Sequence, residues 1–141
     1  MDITPTSRRE VLIGALLPLL QAASSAATPA QGTRPQNLVF EHDLPNVTLD
    51  GWQVNVSTIT LPPGSVGTAH RHPGFVLVYV LEGEVVTKVS DQQQATYSAG
   101  QMFYEQPGST HEVSRNASAT KPAKFLAMIF AKKGLPLVTP A

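Results

Sequence analysis

The chain has 141 residues, enough for one domain of ordinary size and too few for two. Ten Lys and Arg residues balance ten Asp and Glu residues, so no excess of positive charge predicts binding to nucleic acid or to an anionic membrane. The chain contains no cysteine, which excludes disulfides, thiolate metal ligands and cysteine nucleophiles. Any metal site must therefore use imidazole or carboxylate groups, and four histidines are present.

The first 30 residues have the organisation of an export signal. Arg8 and Arg9, followed by Glu10, precede an apolar run at 11–20, and a tract rich in small residues follows at 21–30. This order is typical of a cleaved signal peptide, and the arginine pair is similar to a twin-arginine signal. Ten apolar residues are too few to span a bilayer, which takes about 20 residues in a helix. We therefore predict a signal peptide over 1–30, a bacterial source, a periplasmic location and no membrane span after cleavage. The alternative is an N-terminal amphipathic helix or a retained anchor.

Residues 31–141 are predicted to form one all-β domain. Short β-prone runs alternate with turns rich in Pro and Gly, and this spacing is typical of a small antiparallel barrel or sandwich. Trp52, Val54 and Val56 share one face of a half-buried strand, whereas the run at 75–81 is apolar throughout and predicts burial on both faces. Residues 134–141 are predicted to be a tail. The predicted strands are 52–61, 75–81, 85–89, 95–97, 101–105, 111–114 and 124–131.

Three histidines have the spacing of metal ligands. His70 and His72 are two residues apart, so in an extended segment both side chains point to the same face. His111 comes later, after a Pro-Gly turn, where a neighbouring strand would bring it to the same point. Three nitrogen donors with an open coordination position are typical of a catalytic metal site.

The spacing of these histidines resembles the two motifs of the cupin superfamily, over about 54–129. The first motif, G-x5-H-x-H-x3/4-E-x6-G, and the second, G-x5-P-x-G-x2-H-x3-N, recur here in order. The resemblance implies a small single-domain cupin of the conserved-barrel type, an antiparallel jelly roll. The matching residues are Gly64, His70, His72 and Gly83 in the first motif, and Gly100, Gly108 and His111 in the second.

Three positions depart from the motifs. Val76 stands where the first motif has its glutamate, Gln106 replaces a proline, and Asn116 falls one residue after the motif's asparagine position, which Arg115 occupies. Without the glutamate, a divalent ion would have three neutral ligands and a net charge of about +2. That charge favours an anionic substrate or hydroxide in the open position.

Glu105 is the candidate replacement for the missing carboxylate. Strand alternation places Glu105 on the same face as Phe103 and opposite to Met102 and Tyr104. If this face points inward, Glu105 is a metal ligand or a general base. If it points outward, Glu105 is a solvated surface residue. The sequence leaves both alternatives open.

Three aromatic residues are candidates for substrate contact. Tyr79 and Tyr104 carry hydroxyl groups that would bond a substrate, and Phe75 would close the mouth of the pocket. Aromatic residues in strands also serve as packing, which is the alternative for each of them. His42 lies outside both motifs and is predicted to be a surface residue.

The resemblance implies a divalent metal cofactor, Fe, Mn, Ni or Zn, and a small-molecule substrate. A metal-dependent oxidoreductase of the dioxygenase type is the first expectation, and a lyase or isomerase the second. The alternative is a periplasmic cupin that binds a small ligand or a metal without turnover, so the sequence leaves enzymatic activity open. A homodimer formed through edge strands is compatible with either function.

Overall fold

The computed structural model describes residues 37–141, which consist of nine β-strands and their loops. The predicted signal peptide lies outside these residues. No helix in the described range has the length and apolar character needed to cross a membrane. The strands are β1 (Trp52–Leu61), β2 (His70–Arg71), β3 (Phe75–Glu82), β4 (Glu84–Val89), β5 (Ala95–Ser98), β6 (Met102–Glu105), β7 (Thr110–Asn116), β8 (Ala123–Lys132) and β9 (Thr139–Pro140).

The strands form two sheets in which every pairing is antiparallel. One sheet has the order β1-β8-β3-β6, and the other has the order β5-β4-β7-β2-β9. Neighbours in each sheet are mostly distant in sequence, because the chain crosses repeatedly from one sheet to the other. This is the arrangement of a jelly roll, and it confirms the predicted all-β fold class. The seven predicted strands are found within two residues of their predicted ends, whereas β2 and β9 have two residues each and no sequence signal.

The core lies between the sheets, and β3 shows how its pattern arises. Val76, Val78 and Val80 face inward and are fully buried, while Leu77 and Tyr79 on the outer face are half-buried. The predicted burial is therefore complete on the inner face of β3, whereas the outer face is only partly buried.

The face of β1 that carries Val54 and Val56 points away from the core. Val54 and Val56 are 51% and 56% exposed, whereas Ile59 and Leu61 on the other face line the interior. The predicted alternation is present, but the apolar stripe that begins at Trp52 faces away from the core. β1 is also an edge strand, paired only with β8.

Gly74 allows the segment after His72 to pass under an aromatic cluster on the outer face. A Cβ atom at Gly74 would lie 1.7 Å from the carbonyl oxygen of Phe130 and 3.0 Å from the Trp52 ring. Phe75 follows directly, and its ring stacks on Phe130 with centroids 4.6 Å apart. Because the obstacle is backbone, only glycine fits at this position.

We expect Gly74→Ala to lower the free energy of unfolding by at least about 2 kcal/mol, because the added methyl group overpacks against backbone that cannot rotate away. Urea denaturation measures the loss. Gly64→Ala is the control, since a Cβ atom there meets nothing within 4 Å and carries only the strain of a φ of +69°. An equal decrease in the free energy of unfolding in the two variants would show that the close approach at Gly74 does not contribute to stability.

Candidate functional site

Strand pairing brings the three motif histidines together. β2 and β7 pair so that His70 lies directly opposite His111, and His72 follows two residues after His70. The ring centroid of His70 is 4.9 Å from that of His72 and 5.1 Å from that of His111. The three imidazoles are therefore direct neighbours, although they come from segments about 40 residues apart in sequence.

A β-bulge in β7 sets the direction of His111. Val89 pairs with His111 and Lys88 pairs with Val113, so Glu112 is an extra residue in this strand. A bulge of this kind reverses the alternation beyond it. As a result His111 and Asn116 are both buried, although their positions differ by an odd number that would place them on opposite faces of a regular strand. The late position of Asn116 relative to the motif is thus compensated by the bulge.

Asn116 has a structural role on the inner side of the barrel. Its amide nitrogen donates to the carbonyl oxygens of Leu61, Pro62 and Lys121, and its side-chain oxygen accepts from the backbone N–H of Ser118. These bonds tie the loop before β8 to the end of β1.

Each imidazole has one nitrogen held by a protein oxygen. His70 Nδ1 donates to the carbonyl of Thr68 at 2.8 Å, and His72 Nδ1 donates to the carbonyl of Leu137 at 2.6 Å. His111 Nε2 lies 2.6 Å from Thr87 Oγ1. Because a carbonyl oxygen can only accept, His70 and His72 carry their proton on Nδ1 when neutral. Their Nε2 atoms then keep a free lone pair, which is the arrangement that outer partners impose on metal-binding histidines.

Glu105 faces inward, so it is not the solvated surface residue of the second alternative. It is 3% exposed, and it pairs directly across from Val76 in the β3–β6 ladder. Its Oε1 is 3.2 Å from His111 Nδ1, and its Oε2 is 3.7 Å from His72 Nε2. Within residues 37–141, no hydrogen-bond donor reaches Oε2, which is buried.

The environment of His72 favours its neutral form. Burial away from water lowers the pKa of His72, the nearby His70 and His111 act in the same direction, and the Leu137 carbonyl and the Glu105 carboxylate oppose them. Neutral imidazole is the form that binds a metal ion.

The donor set suits a divalent ion in its chemistry. No three His, Asp or Glu side chains among residues 37–141 form a complete set of metal ligands as they stand. Each of the three imidazoles nevertheless has one nitrogen held by a protein oxygen, and a carboxylate oxygen without a hydrogen-bond partner lies beside them. Together they supply the nitrogen and oxygen donors that Fe, Mn, Ni and Zn accept.

These side chains stand at one end of a cavity of about 230 Å³ between the two sheets. Four of the lining residues are the three histidines and Glu105, and a fifth is Ser114. The other eight are apolar: Ile59, Leu61, Val76, Val78, Phe125, Ala127, Ile129 and Val138.

The C-terminal segment, predicted to be a tail, belongs to the site. β9 pairs with β2, so that Pro140 lies opposite His70. Leu137 packs against the core and holds His72 through its carbonyl group, and Val138 lines the cavity. Sequence analysis missed this segment and also missed Thr87. Neither carries a motif, and only the sheet pairings bring them to the histidines.

The three aromatic candidates for substrate contact lie elsewhere. Phe75, Tyr79 and Tyr104 alternate with cavity-lining residues on β3 and β6, so they occupy the outer face of their sheet. Tyr104 is covered by the ring of His42, with centroids 4.1 Å apart, and Phe75 stacks on Phe130. The structure therefore does not bring these residues to the histidine cavity; Phe75 and Tyr104 serve as packing. His42 is exposed, in line with its predicted surface position.

The fold and the site together define a small jelly-roll barrel with a cluster of histidines inside one end. The family model for the cupin domain matches residues 57–129, more than half of the chain. The chain therefore belongs to the cupin family, as its motifs predict.

Solved structures with the same fold include DMSP lyase DddQ from Ruegeria pomeroyi DSS-3. It is 16% identical, with a TM-score of 0.55 over 62% of this chain and 43% of that one. An oxalate decarboxylase from Lactobacillus farciminis in a formate complex is 17% identical, with a TM-score of 0.53 over 62% of this chain and 26% of that one. This chain thus spans less than half the length of either, and at these identities the likeness shows the fold. No curated protein sequence matches the chain.

We expect deletion of residues 135–141 to release His72. Loss of the buried bond to Leu137 should lower the free energy of unfolding by roughly 1–3 kcal/mol. It should also turn the Nδ1 proton of His72 from a protected into a rapidly exchanging one, as observed by NMR of ¹⁵N-labelled imidazole. Val138→Ala is the control, because it trims the same segment but leaves the Leu137 carbonyl in place. An unchanged His72 signal after the deletion would contradict the contact.

Proposed function

We propose that this cupin is a metal-dependent enzyme acting on a small molecule. In this proposal His70, His72 and His111 hold a divalent ion, and Glu105 is the fourth ligand. The observation that carries it is the cross-strand pair of Val76 and Glu105. The family motif has its glutamate at the position of Val76, and directly paired residues have Cβ atoms only about 4.5–5.5 Å apart. Glu105 therefore supplies from β6 a carboxylate that the motif would supply from β3.

The burial of Glu105 supports the same proposal. Burying a carboxylate is costly, because taking it out of water loses several kcal/mol of hydration. His111 Nδ1 stands 3.2 Å from Oε1, but Oε2 is buried without a donor, and a divalent cation would offset that loss. A site of three histidines and one carboxylate then has a net charge of about +1 with the ion bound.

A bound ion would act as a Lewis acid on an oxygen atom of the substrate. The protein side chains do the rest. Thr68, Leu137 and Thr87 orient the three imidazoles, and the apolar walls keep water away. Glu105 is the one carboxylate among the described residues that line the cavity, so it is also the candidate to accept a proton from a bound substrate. The reaction class stays as predicted from the sequence, dioxygenase-like or a lyase or isomerase.

Moving the carboxylate between the two paired strands tests the metal site. We expect Glu105→Val to weaken Mn²⁺ or Zn²⁺ binding by at least about 100-fold, more than the 10- to 100-fold loss typical of an outer partner. The double variant Val76→Glu/Glu105→Val should recover most of this loss, because it returns a carboxylate to the same place. Competition with a chelating dye measures affinity, and elemental analysis of the purified protein measures occupancy.

Two controls accompany this exchange. Glu105→Gln keeps the shape and removes the charge, and should behave like Glu105→Val. Glu112→Gln removes an exposed carboxylate from β7 and should leave metal affinity unchanged. Equal affinity in the unmodified protein and in Glu105→Val would sink the assignment of Glu105 as a ligand.

Turnover separates an enzyme from a binding protein. We expect metal-loaded protein incubated with a bacterial metabolite extract to deplete a compound and form a product by mass spectrometry. Protein carrying His72→Ala should do neither. If a compound is retained by the protein and recovered unchanged, the cupin is a binding module, and the enzymatic proposal is wrong.

Export to the periplasm is a proposal that rests on Arg8, Arg9 and the apolar run after them. We expect Arg8→Lys/Arg9→Lys to leave the protein in the cytoplasm with its leader uncleaved, since the twin-arginine signal depends on the pair. Cell fractionation and the mass of the protein report the outcome. Periplasmic recovery of the double variant would rule out this route. The homodimer stays a prediction from the sequence.

A further inference from the structure

We propose that the substrate has an apolar body of aromatic or branched aliphatic character and a single neutral or monoanionic oxygen head. Its size is about nine non-hydrogen atoms. This inference rests on the proposed metal site, to which the head would bind. It adds the size and polarity of the substrate that the rest of the cavity would accept.

The size follows from the cavity volume. An apolar cavity of about 150 Å³ binds benzene, which has six non-hydrogen atoms. The cavity here is about 230 Å³, which by proportion holds about nine. A two-carbon diacid would leave much of this space unfilled, whereas an aromatic monocarboxylate would occupy it.

The imidazole and carboxylate groups are confined to one end, and Ser114 is the one other polar residue among the described residues that line the cavity. The β3–β8 register runs from Val76 beside Ile129 through Val78 beside Ala127 to Val80 beside Phe125. At about 3.4 Å per residue, this is roughly 14 Å of barrel, and the β3 and β8 residues that line the cavity are all apolar. The end with Val76 is the end that holds Glu105 and the histidines. A bound molecule therefore meets polar atoms with its head and hydrocarbon with its body.

The charge of the lining limits the head. Among the described residues that line the cavity there is no Lys or Arg, and Glu105 contributes one negative charge. A second carboxylate too far along the substrate to reach the proposed ion would have to lie against valine and isoleucine without a partner, which is costly. The lining therefore favours one anionic or neutral oxygen head at the metal end.

Binding of defined probes to the metal-loaded protein tests the inference. We expect benzoate and isovalerate to bind at least about tenfold more tightly than acetate, because several additional carbons leave water. Glutarate, which is similar to benzoate in size but carries a second carboxylate at its far end, should bind no better than acetate. Isothermal titration calorimetry with Mn²⁺-loaded protein measures the series. Glutarate or acetate binding as tightly as benzoate would overturn the proposal.

A variant of the cavity wall makes the test specific. Ala127 faces the cavity, and Met128 beside it faces the outer surface of the same strand. Ala127→Leu should lower benzoate affinity at least about tenfold and leave acetate affinity unchanged, while Met128→Leu should change neither. Ala127→Val is the smaller version, to be used if Ala127→Leu does not fold. Unchanged benzoate binding in the folded variant would show that the ligand lies elsewhere.

Two further measurements distinguish a wrong metal-site proposal from a wrong inference about the substrate. Elemental analysis shows whether the protein holds a metal at all, and benzene binding to metal-free protein tests the cavity alone. Benzene binding that Ala127→Leu abolishes supports the apolar body even where no metal is found. Absence of benzene binding in a protein that binds its metal overturns the inference and leaves the metal proposal intact.

Discussion

A buried carboxylate among three imidazoles is the constraint on which the site depends. The β3–β6 ladder fixes Glu105 across from Val76 on the inner face, so the side chain has no route to solvent without breaking that pairing. One of its carboxylate oxygens lies near His111 and the other has no donor; burying such a group is costly, and most positions of this kind carry a hydrophobic residue. The barrel thus accepts a local loss of stability at the point where its histidines converge, which is a property of functional sites more than of structural cores.

Interactions outside the cavity determine what the histidines offer inside it. Backbone carbonyls hold His70 and His72 by one nitrogen, and a buried threonine hydroxyl stands beside His111. One of these carbonyls belongs to Leu137, beyond the end of the region that the family model covers. The C-terminal strand therefore completes the barrel and orients a candidate ligand at the same time. The same segment supplies Val138 to the cavity wall, so ligand orientation and cavity shape depend on one short stretch of chain.

Sequence patterns predict the seven longer strands within residues 37–141 and the same-face placement of His70 and His72, because these depend on local alternation and on turns rich in Pro and Gly. They were insufficient wherever the answer depended on which face of a strand meets the other sheet. Strand alternation grouped Glu105 with Phe103, but only the pairing with β3 shows that this face is the inner one. The same uncertainty affected Tyr104, whose outer position is covered by His42 from a distant segment. Residues such as Thr87 and Leu137 act through long-range contacts that no local pattern encodes.

Two of the three departures from the cupin motifs, at positions 76 and 116, coincide with particular features of strand pairing. A one-residue displacement of Asn116 accompanies a bulge at Glu112, and the bulge keeps both His111 and Asn116 buried. The valine at position 76 accompanies a glutamate at the directly paired position 105. In both cases the linear motif is broken, and strand pairing or the bulge leaves a buried side chain on the inner face of the barrel. A search for the motif glutamate along β3 alone would miss the carboxylate that β6 places in the same pocket.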